Sequence, residues 1–218
     1  MARIKSFGLK QGERIGNYRV FEMIGRGWEG EVYKVAEVPT DAIRALKMFR
    51  SDELDSTRHL IHYAWYFEQL RVTGHFPIYY HYGQWFLDDD NGCWYLIFEY
   101  VSGRKLTEMQ PTPEVFLSVV SAVANVHSLG FAVGDMRSPG NVIVTETGRV
   151  VFVDCDPGKP DRPNQDYRRD CKEELPELAK RCFKGSLPDA VSALFSALGK
   201  VRRFTQSSLA TAISSVKG

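Results

Sequence analysis

The segment Val133-Gly134-Asp135-Met136-Arg137-Ser138-Pro139-Gly140-Asn141, followed by Val151-Phe152-Val153-Asp154-Cys155-Asp156, decides how this chain is read. An aspartate and an asparagine flank a short loop, a β-hairpin follows, and a further aspartate, Asp154, ends its second strand. The hairpin is predicted over 142–145 and 150–153, turning at Glu146-Thr147-Gly148. Working outward, a short strand is predicted at 131–133. Before it, Pro113 opens a helix that runs through Phe116, Val119, Val120, Val123 and Val126 and stops at Gly130. Beyond Asp156, residues 157–164 carry three prolines and one glycine and read as loop. Helices are predicted over 167–183, 188–199 and 205–216.

The first hundred residues have a different texture. Tyr18, Val20 and Met23 precede Gly25-Arg26-Gly27, and Val32, Lys34 and Glu37 follow Gly30, which reads as strand, glycine turn and returning strand. A third strand is predicted over 43–49. Residues 52–73 have helical spacing, with Leu60, Ala64, Glu68 and Val72 on one face. Aromatic-rich strands at 78–87 and 93–100 are joined by Asp88-Asp89-Asp90-Asn91-Gly92, a hairpin signal. The reading is an α+β chain: a five-stranded antiparallel sheet with one helix, then a helical part, changing over near Glu99–Gly103.

Composition excludes several classes. With 28 Lys+Arg against 27 Asp+Glu the net charge is +1, which argues against a protein held mainly by nucleic-acid phosphates. A chain that is 44% hydrophobic and 12% aromatic can bury a sizeable core, which excludes intrinsic disorder. No apolar run is long enough to span a bilayer, and Met1-Ala2-Arg3-Ile4-Lys5 leads into no hydrophobic signal core. Cys93, Cys155, Cys171 and Cys182 lack Cys-x-x-Cys spacing, so separate reduced thiols are expected rather than a disulfide frame or a zinc site. A soluble protein of a reducing compartment is expected.

The chemistry lies in a few positions. Gly25-Arg26-Gly27-Trp28-Glu29-Gly30-Glu31-Val32 fits G-x-G-x-x-G-x-V, a hairpin whose backbone N–H groups can approach phosphates unobstructed. It opens no helix, so it is not the dinucleotide-binding fingerprint. Lys47 sits on the next strand, where it could reach those phosphates. Glu68, on the apolar face of the following helix, would need a partner there, and Lys47 is the natural one; Glu53 competes for that pairing, and Glu68 at the edge of the face would be solvated instead. Asp135, Asn141 and Asp154 fall within twenty residues of one another, and phosphoryl transfer requires a carboxylate near the acceptor hydroxyl and oxygen ligands for Mg²⁺. His59 and His62 have no evident third ligand and read as a solvated face, and Cys155 as a packing residue.

In this order the motifs resemble the protein-kinase-like superfamily over roughly residues 17–180. The resemblance implies a bilobal fold in one domain over 1–218, an N-lobe over 1–100 and a C-lobe over 101–218, with ATP and Mg²⁺ as cofactors. It implies that Gly25, Gly27 and Gly30 cover the phosphates, that Lys47 holds them and that Glu68 positions Lys47. Phe98 resembles the gatekeeper, with the backbone at Glu99 and Val101 meeting adenine and Val32, Ala45 and Ile143 sandwiching the ring. Asp135 resembles the catalytic aspartate, Asn141 and Asp154 the magnesium ligands, and Arg137 the cation on the transferring phosphate.

Departures from the pattern are equally specific. Val133-Gly134-Asp135 stands where many protein kinases have His-Arg-Asp, so the arginine that reads a phosphorylated activation loop is missing. The Asp135-to-Asn141 spacing is one residue longer than the usual catalytic-loop spacing, which requires a bulge at 138–140. Asp154-Cys155-Asp156 replaces Asp-Phe-Gly, and no Ala-Pro-Glu follows. Asp166 or Asp170 is expected to brace the catalytic loop, unless the stretch is an ordinary charged helix start. The leading reading is a compact Ser/Thr protein kinase of bacterial or effector type, and two others compete with it. One is a small-molecule kinase, because Gly134-Asp135 and Pro139-Gly140-Asn141 echo a Gly-Asp-x-x-Pro-x-Asn loop. The other is a pseudokinase acting as a binding module, opposed by the presence of Lys47, Asp135, Asn141 and Asp154. The expected partner is a protein substrate, with no nucleic acid and no membrane span. A monomer is expected, in a bacterial cytoplasm or delivered to a host cytosol.

Overall fold

The computed structural model describes residues 6–50, 57–86 and 92–217, and the chain divides into two units. The first comprises Met1–Glu68 and Pro77–Val101. Its strands are β1 (Arg14–Ile15), β2 (Tyr18–Arg26), β3 (Gly30–Glu37) and β4 (Ile43–Phe49), then, after helix α1 (Thr57–Leu70), β5 (Tyr79–Phe86) and β6 (Gly92–Glu99). They form one antiparallel sheet in the order β1-β2-β3-β4-β6-β5. The two-residue β1 is one strand more than the sequence suggests. The hairpin signal at 88–92 and the competing Glu53 lie outside the described residues, apart from Gly92 at the start of β6.

Antiparallel register sorts the side chains into two faces. Tyr33, Val35, Leu46, Met48, Tyr95 and Ile97 join Phe7, Ile15, Tyr18, Val20 and Cys93 in a buried cluster on one face. On the other, Val32 pairs with Lys47, Lys34 with Ala45, Ala45 with Phe98 and Lys47 with Leu96. Helix α1 packs on this second face through aromatic rings: Tyr63 lies 5.7 Å from Phe49, and Phe67 lies 4.8 Å from Phe98. Its buried side is Leu60, Tyr63, Ala64, Tyr66, Phe67 and Leu70. The expected inner stripe is therefore corrected. Glu68 is exposed, and Val72 is 79% exposed in the tighter 3₁₀ turn Arg71–Thr73, where the four-residue step no longer holds. His62, expected on a solvated face, is buried and stacks on Trp65 at 5.6 Å.

The second unit comprises Gln69–Phe76 and Ser102–Gly218. Strand β7 (Arg104–Lys105) precedes helix α2 (Pro113–Ser128), followed by β8 (Val142–Val144) and β9 (Val150–Phe152); the three strands form a sheet in the order β7-β8-β9. Helix α2 begins where Thr112 Oγ1 accepts the Val115 N–H at 3.4 Å and Pro113 pre-sets the first turn. Phe116, Val119, Val120, Val123 and Val126 are all fully buried. Residues 131–133 form no strand: the Ala132 N–H is taken by Asn164 O at 2.8 Å. The proline-rich stretch is more ordered than a loop. Strands β10 (Gly158–Lys159) and β11 (Arg162–Pro163) pair in a small antiparallel hairpin.

A helical run then passes from α3 (Tyr167–Arg169) through a π turn at Asp170–Glu174 into α4 (Leu175–Phe183), followed by α5 (Asp189–Gly199) and α6 (Ser208–Lys217). The π turn has a local cause. Pro176 has no N–H to offer Lys172, and the Leu175 N–H reaches back five residues to Asp170 O. The four cysteines are buried thiols, and among the described residues none forms a disulfide. No helix among the described residues is long and apolar enough to cross a membrane.

Candidate active site

Of the expected site residues, the glycine loop, Val32, Ala45, Lys47, Glu68, Phe98, Glu99 and Val101 belong to the first unit. The loop between β2 and β3 closes with a 3.0 Å bond from the Gly27 N–H to Gly30 O. Its glycines differ in purpose. A Cβ on Gly30 would sit 1.8 Å from Met48 O, so Gly30 is required for β3 to lie against β4. A Cβ on Gly27 would meet nothing within 4 Å among the described residues. Lys47 is 9% exposed. Its Nζ lies 2.8 Å from Glu29 Oε2, in the glycine loop itself, and over the rings of Phe49 and Tyr63. Phe98 is buried against Phe67 and Tyr79. The Glu99 N–H donates to Ile78 O at 2.8 Å, while Val101 is half-buried.

Beneath the loop lies a charge cluster that spacing did not suggest. Glu31 is fully buried and accepts from the Phe7 N–H at 3.1 Å and from the Tyr33 hydroxyl. Arg26 Nε and Arg50 Nη2 lie 3.4 and 3.8 Å from its Oε1. Burial pushes the Glu31 carboxyl up, but hydrogen bonds from Tyr33, Ser6 and Phe7, with the Arg26 charge, outweigh it and hold the group below its ordinary value.

Asp135, Arg137, Asn141, Ile143 and Asp154 belong to the second unit. Gly134 and Asp135 both have positive φ, +65° and +48°, so the chain turns through left-handed backbone at the aspartate. Of the two candidates for the brace, it is Asp170. Its wholly buried carboxylate accepts the Val133 N–H at 2.7 Å and the Gly134 N–H at 3.0 Å, with His127 Nε2 at 3.0 Å. Asp166 instead caps α3, accepting the Arg169 N–H at 2.9 Å. One turn after Asp170, buried Glu174 accepts the Arg137 N–H at 2.9 Å, while the Arg137 side chain is 60% exposed. The π turn thus points two carboxylates at one loop.

The extra residue between Asp135 and Asn141 is absorbed by a 3₁₀ turn at Pro139–Asn141. Asn141 Nδ2 donates to Asp135 O at 2.7 Å, and the Val153 N–H donates to Asn141 O at 3.0 Å, so Asn141 lies next to the strand end that carries Asp154. Partial burial, then the Asp156 and Asp154 charges, raise the Asp135 carboxyl above its ordinary value, opposed by Arg169 and Arg137. Ile143 is buried on β8.

Sequence reasoning also missed Arg169. Where a side chain on Gly134 would project, Arg169 Nη2 already stands, 2.2 Å from the position a Cβ would take. Arg169 Nη1 pairs with Asp156 Oδ2 at 3.1 Å. Asp156 is anchored further: its N–H donates to Val133 O, and its carbonyl accepts from Asn164 Nδ2.

Among the described residues no cluster of three or more His, Cys, Asp or Glu side chains is placed to hold a metal ion alone. Mg²⁺ does not require one, because it takes one or two protein carboxylates and completes its shell with water and phosphate oxygens. Asp154 and Asn141 are hard oxygen donors of that kind. Burial is the larger cause of the raised Asp135 carboxyl, and the Asp156 and Asp154 charges add to it; that added repulsion is what a divalent cation would relieve. The residues present fit magnesium held with a nucleotide.

The fold is that of a protein-kinase domain. It matches the PknI kinase domain of Mycobacterium tuberculosis with a TM-score of 0.64 at 20% identity, covering 96% of this chain and 100% of that one. A single-substitution variant of PknI gives a TM-score of 0.65 at 21% identity, covering 97% and 100%. Rho-associated protein kinase let-502 of Caenorhabditis briggsae is 24% identical over 151 residues, 63% of this chain but only 12% of that protein. No family model matches the sequence.

Proposed function

We propose that this chain is an ATP- and Mg²⁺-dependent phosphotransferase that moves the γ-phosphate of ATP onto Ser/Thr hydroxyls of a protein substrate. One observation carries the reading: the buried Asp170 carboxylate grips the two N–H groups just before Asp135, while Asn141 holds the Asp135 carbonyl. A buried carboxylate costs several kcal/mol unless its hydrogen bonds are made. Here that cost is spent on fixing one exposed aspartate in left-handed backbone. The exposed, fixed carboxylate is suited to orient an acceptor hydroxyl and accept its proton.

In the first unit, Gly25, Gly27 and Gly30 lie along the phosphates and Lys47 neutralises them. Val32 and Ala45 offer an apolar surface to adenine, with Phe98 as gatekeeper and the backbone of Glu99 and Val101 at the base edge. In the second unit, Ile143 offers an apolar surface to the base, Arg137 meets the transferring phosphate, and Asp154 with Asn141 would hold Mg²⁺. The metal, when bound, neutralises phosphate charge.

The test is transfer from γ-labelled ATP into a cell lysate by wild type, Asp135→Ala and Asp154→Ala. Label is expected in proteins with wild type only, with Asp135→Ala still binding MgATP and Asp154→Ala losing the magnesium dependence of nucleotide binding. Label in small metabolites would make the chain a small-molecule kinase. Nucleotide binding without transfer would make it a pseudokinase.

A further inference from the structure

We infer that Arg50 is a positioning residue for nucleotide phosphates: it holds the glycine loop by its carbonyls, so that the loop's N–H groups face a polyphosphate. The inference rests on the reading of this loop as a phosphate-binding element and adds a residue that its motif does not contain. Arg50 follows directly on β4 and is 5% exposed. Its Nη1 donates to Gly27 O and, at 2.7 Å, to Trp28 O. Its own backbone N–H donates to Glu29 O at 2.9 Å. Three successive loop carbonyls are therefore turned toward one residue.

Peptide geometry supplies the consequence. The chain has no cis peptide bonds among the described residues, and in a trans peptide the C=O and the N–H of the next residue point in opposite directions. With Gly27 O and Trp28 O turned toward Arg50, the N–H groups of Trp28 and Glu29 face away from it. Successive N–H groups on one side of a turn form an anion-binding concavity. A Cβ on Gly27 would meet nothing within 4 Å among the described residues, so none of them crowds the loop there, and Lys47 Nζ, 2.8 Å from Glu29 Oε2, brings a cation to the same loop.

Two further contacts explain why arginine serves here. Gly30 lets β3 approach β4 so closely that Arg50 arrives under the loop. On the far side, Arg50 Nη2 lies 3.8 Å from the fully buried Glu31, whose other oxygen is held by Phe7 and Tyr33. The planar guanidinium meets the carboxylate with one nitrogen and the carbonyls with the other. A lysine ammonium, a single compact charge, cannot span both.

The experiment measures binding of ATP, inorganic tripolyphosphate and adenosine to wild type, Arg50→Lys and the double variant Arg50→Met/Glu31→Gln. The double variant leaves no carboxylate behind without its cation, and Arg50→Lys keeps a charge beside Glu31, so both address the risk of unfolding, which thermal denaturation monitors. In both variants ATP and tripolyphosphate affinity is expected to fall about tenfold, the weight of a charge-assisted hydrogen bond, with adenosine affinity unchanged. A merely structural role would weaken adenosine and ATP together, and that result overturns the inference. Unchanged ATP affinity in both variants overturns it as well, while leaving the kinase reading intact. If wild type binds no ATP, both fall.

Discussion

Glu29 and Lys47 meet at 2.8 Å, with their side chains 30% and 11% exposed, so the lysine proposed to hold phosphates already has a carboxylate against it. An incoming phosphate must compete with that carboxylate. A partly exposed pair of this kind is worth about 1 kcal/mol, which sets the competition near fivefold in affinity. Glu29→Gln is therefore expected to lower the Kd for MgATP about fivefold, measured by calorimetry, with little change in thermal stability. Weaker binding would show that Glu29 assists the nucleotide. Lys47, Asp135, Asn141 and Asp154 could be singled out as candidates in the sequence because each residue type stands at a recognisable distance from the next. Glu29, Arg50, Arg169 and Glu174 could not. Their roles depend on where separate parts of the chain meet, as when Arg50 reaches loop carbonyls more than twenty positions earlier.

Among elements, the π turn at Asp170–Glu174 has the clearest division of labour. One widened turn places Asp170 against Val133 and Gly134 and Glu174 against Arg137. Asp170→Ala removes a buried acceptor and leaves two backbone N–H groups and His127 without it. The expected loss is about 3–5 kcal/mol, read from urea unfolding against wild type. A loss below about 1 kcal/mol would show that water replaces the carboxylate and that the brace is weak. The sequence did mark Asp170 as one of two candidates, but it could not separate it from Asp166. Both follow the proline-rich stretch, and only the packed helix shows which side chain turns inward. Strand β4 was legible with its limits because Ile43–Phe49 is a mostly apolar run. The hairpin β10–β11 was hidden because its prolines read as loop. The buried side of α1 holds Leu60 and Ala64 of the expected stripe, but Glu68 and Val72 were misjudged because the aromatic residues Tyr63, Tyr66 and Phe67 carry the rest of it.

For the molecule as a whole, the question is whether activity needs a modification to switch it on. Phosphorylation-dependent ordering requires a loop to order, a hydroxyl to modify and a cation to receive the phosphate. The stretch from Asp154 to Asp170 contains no serine or threonine, and its one hydroxyl belongs to Tyr167. That ring already packs 4.9 Å from His127. The stretch is also held from within: Arg169 binds Asp156, Asn164 ties its own ends to Ala132 and Asp156, and β10 pairs with β11. At Gly134 there is no side chain to receive a phosphate, and the guanidinium that fills the space is already paired with an internal carboxylate. The protein is therefore expected to be active as synthesised. Phosphatase treatment should leave initial rates of phosphoryl transfer within about twofold of the untreated protein, a difference under about 0.5 kcal/mol in the barrier. A larger loss, restored by rephosphorylation at Tyr167, would show that the Asp156–Arg169 pair does not by itself hold the segment in its working form.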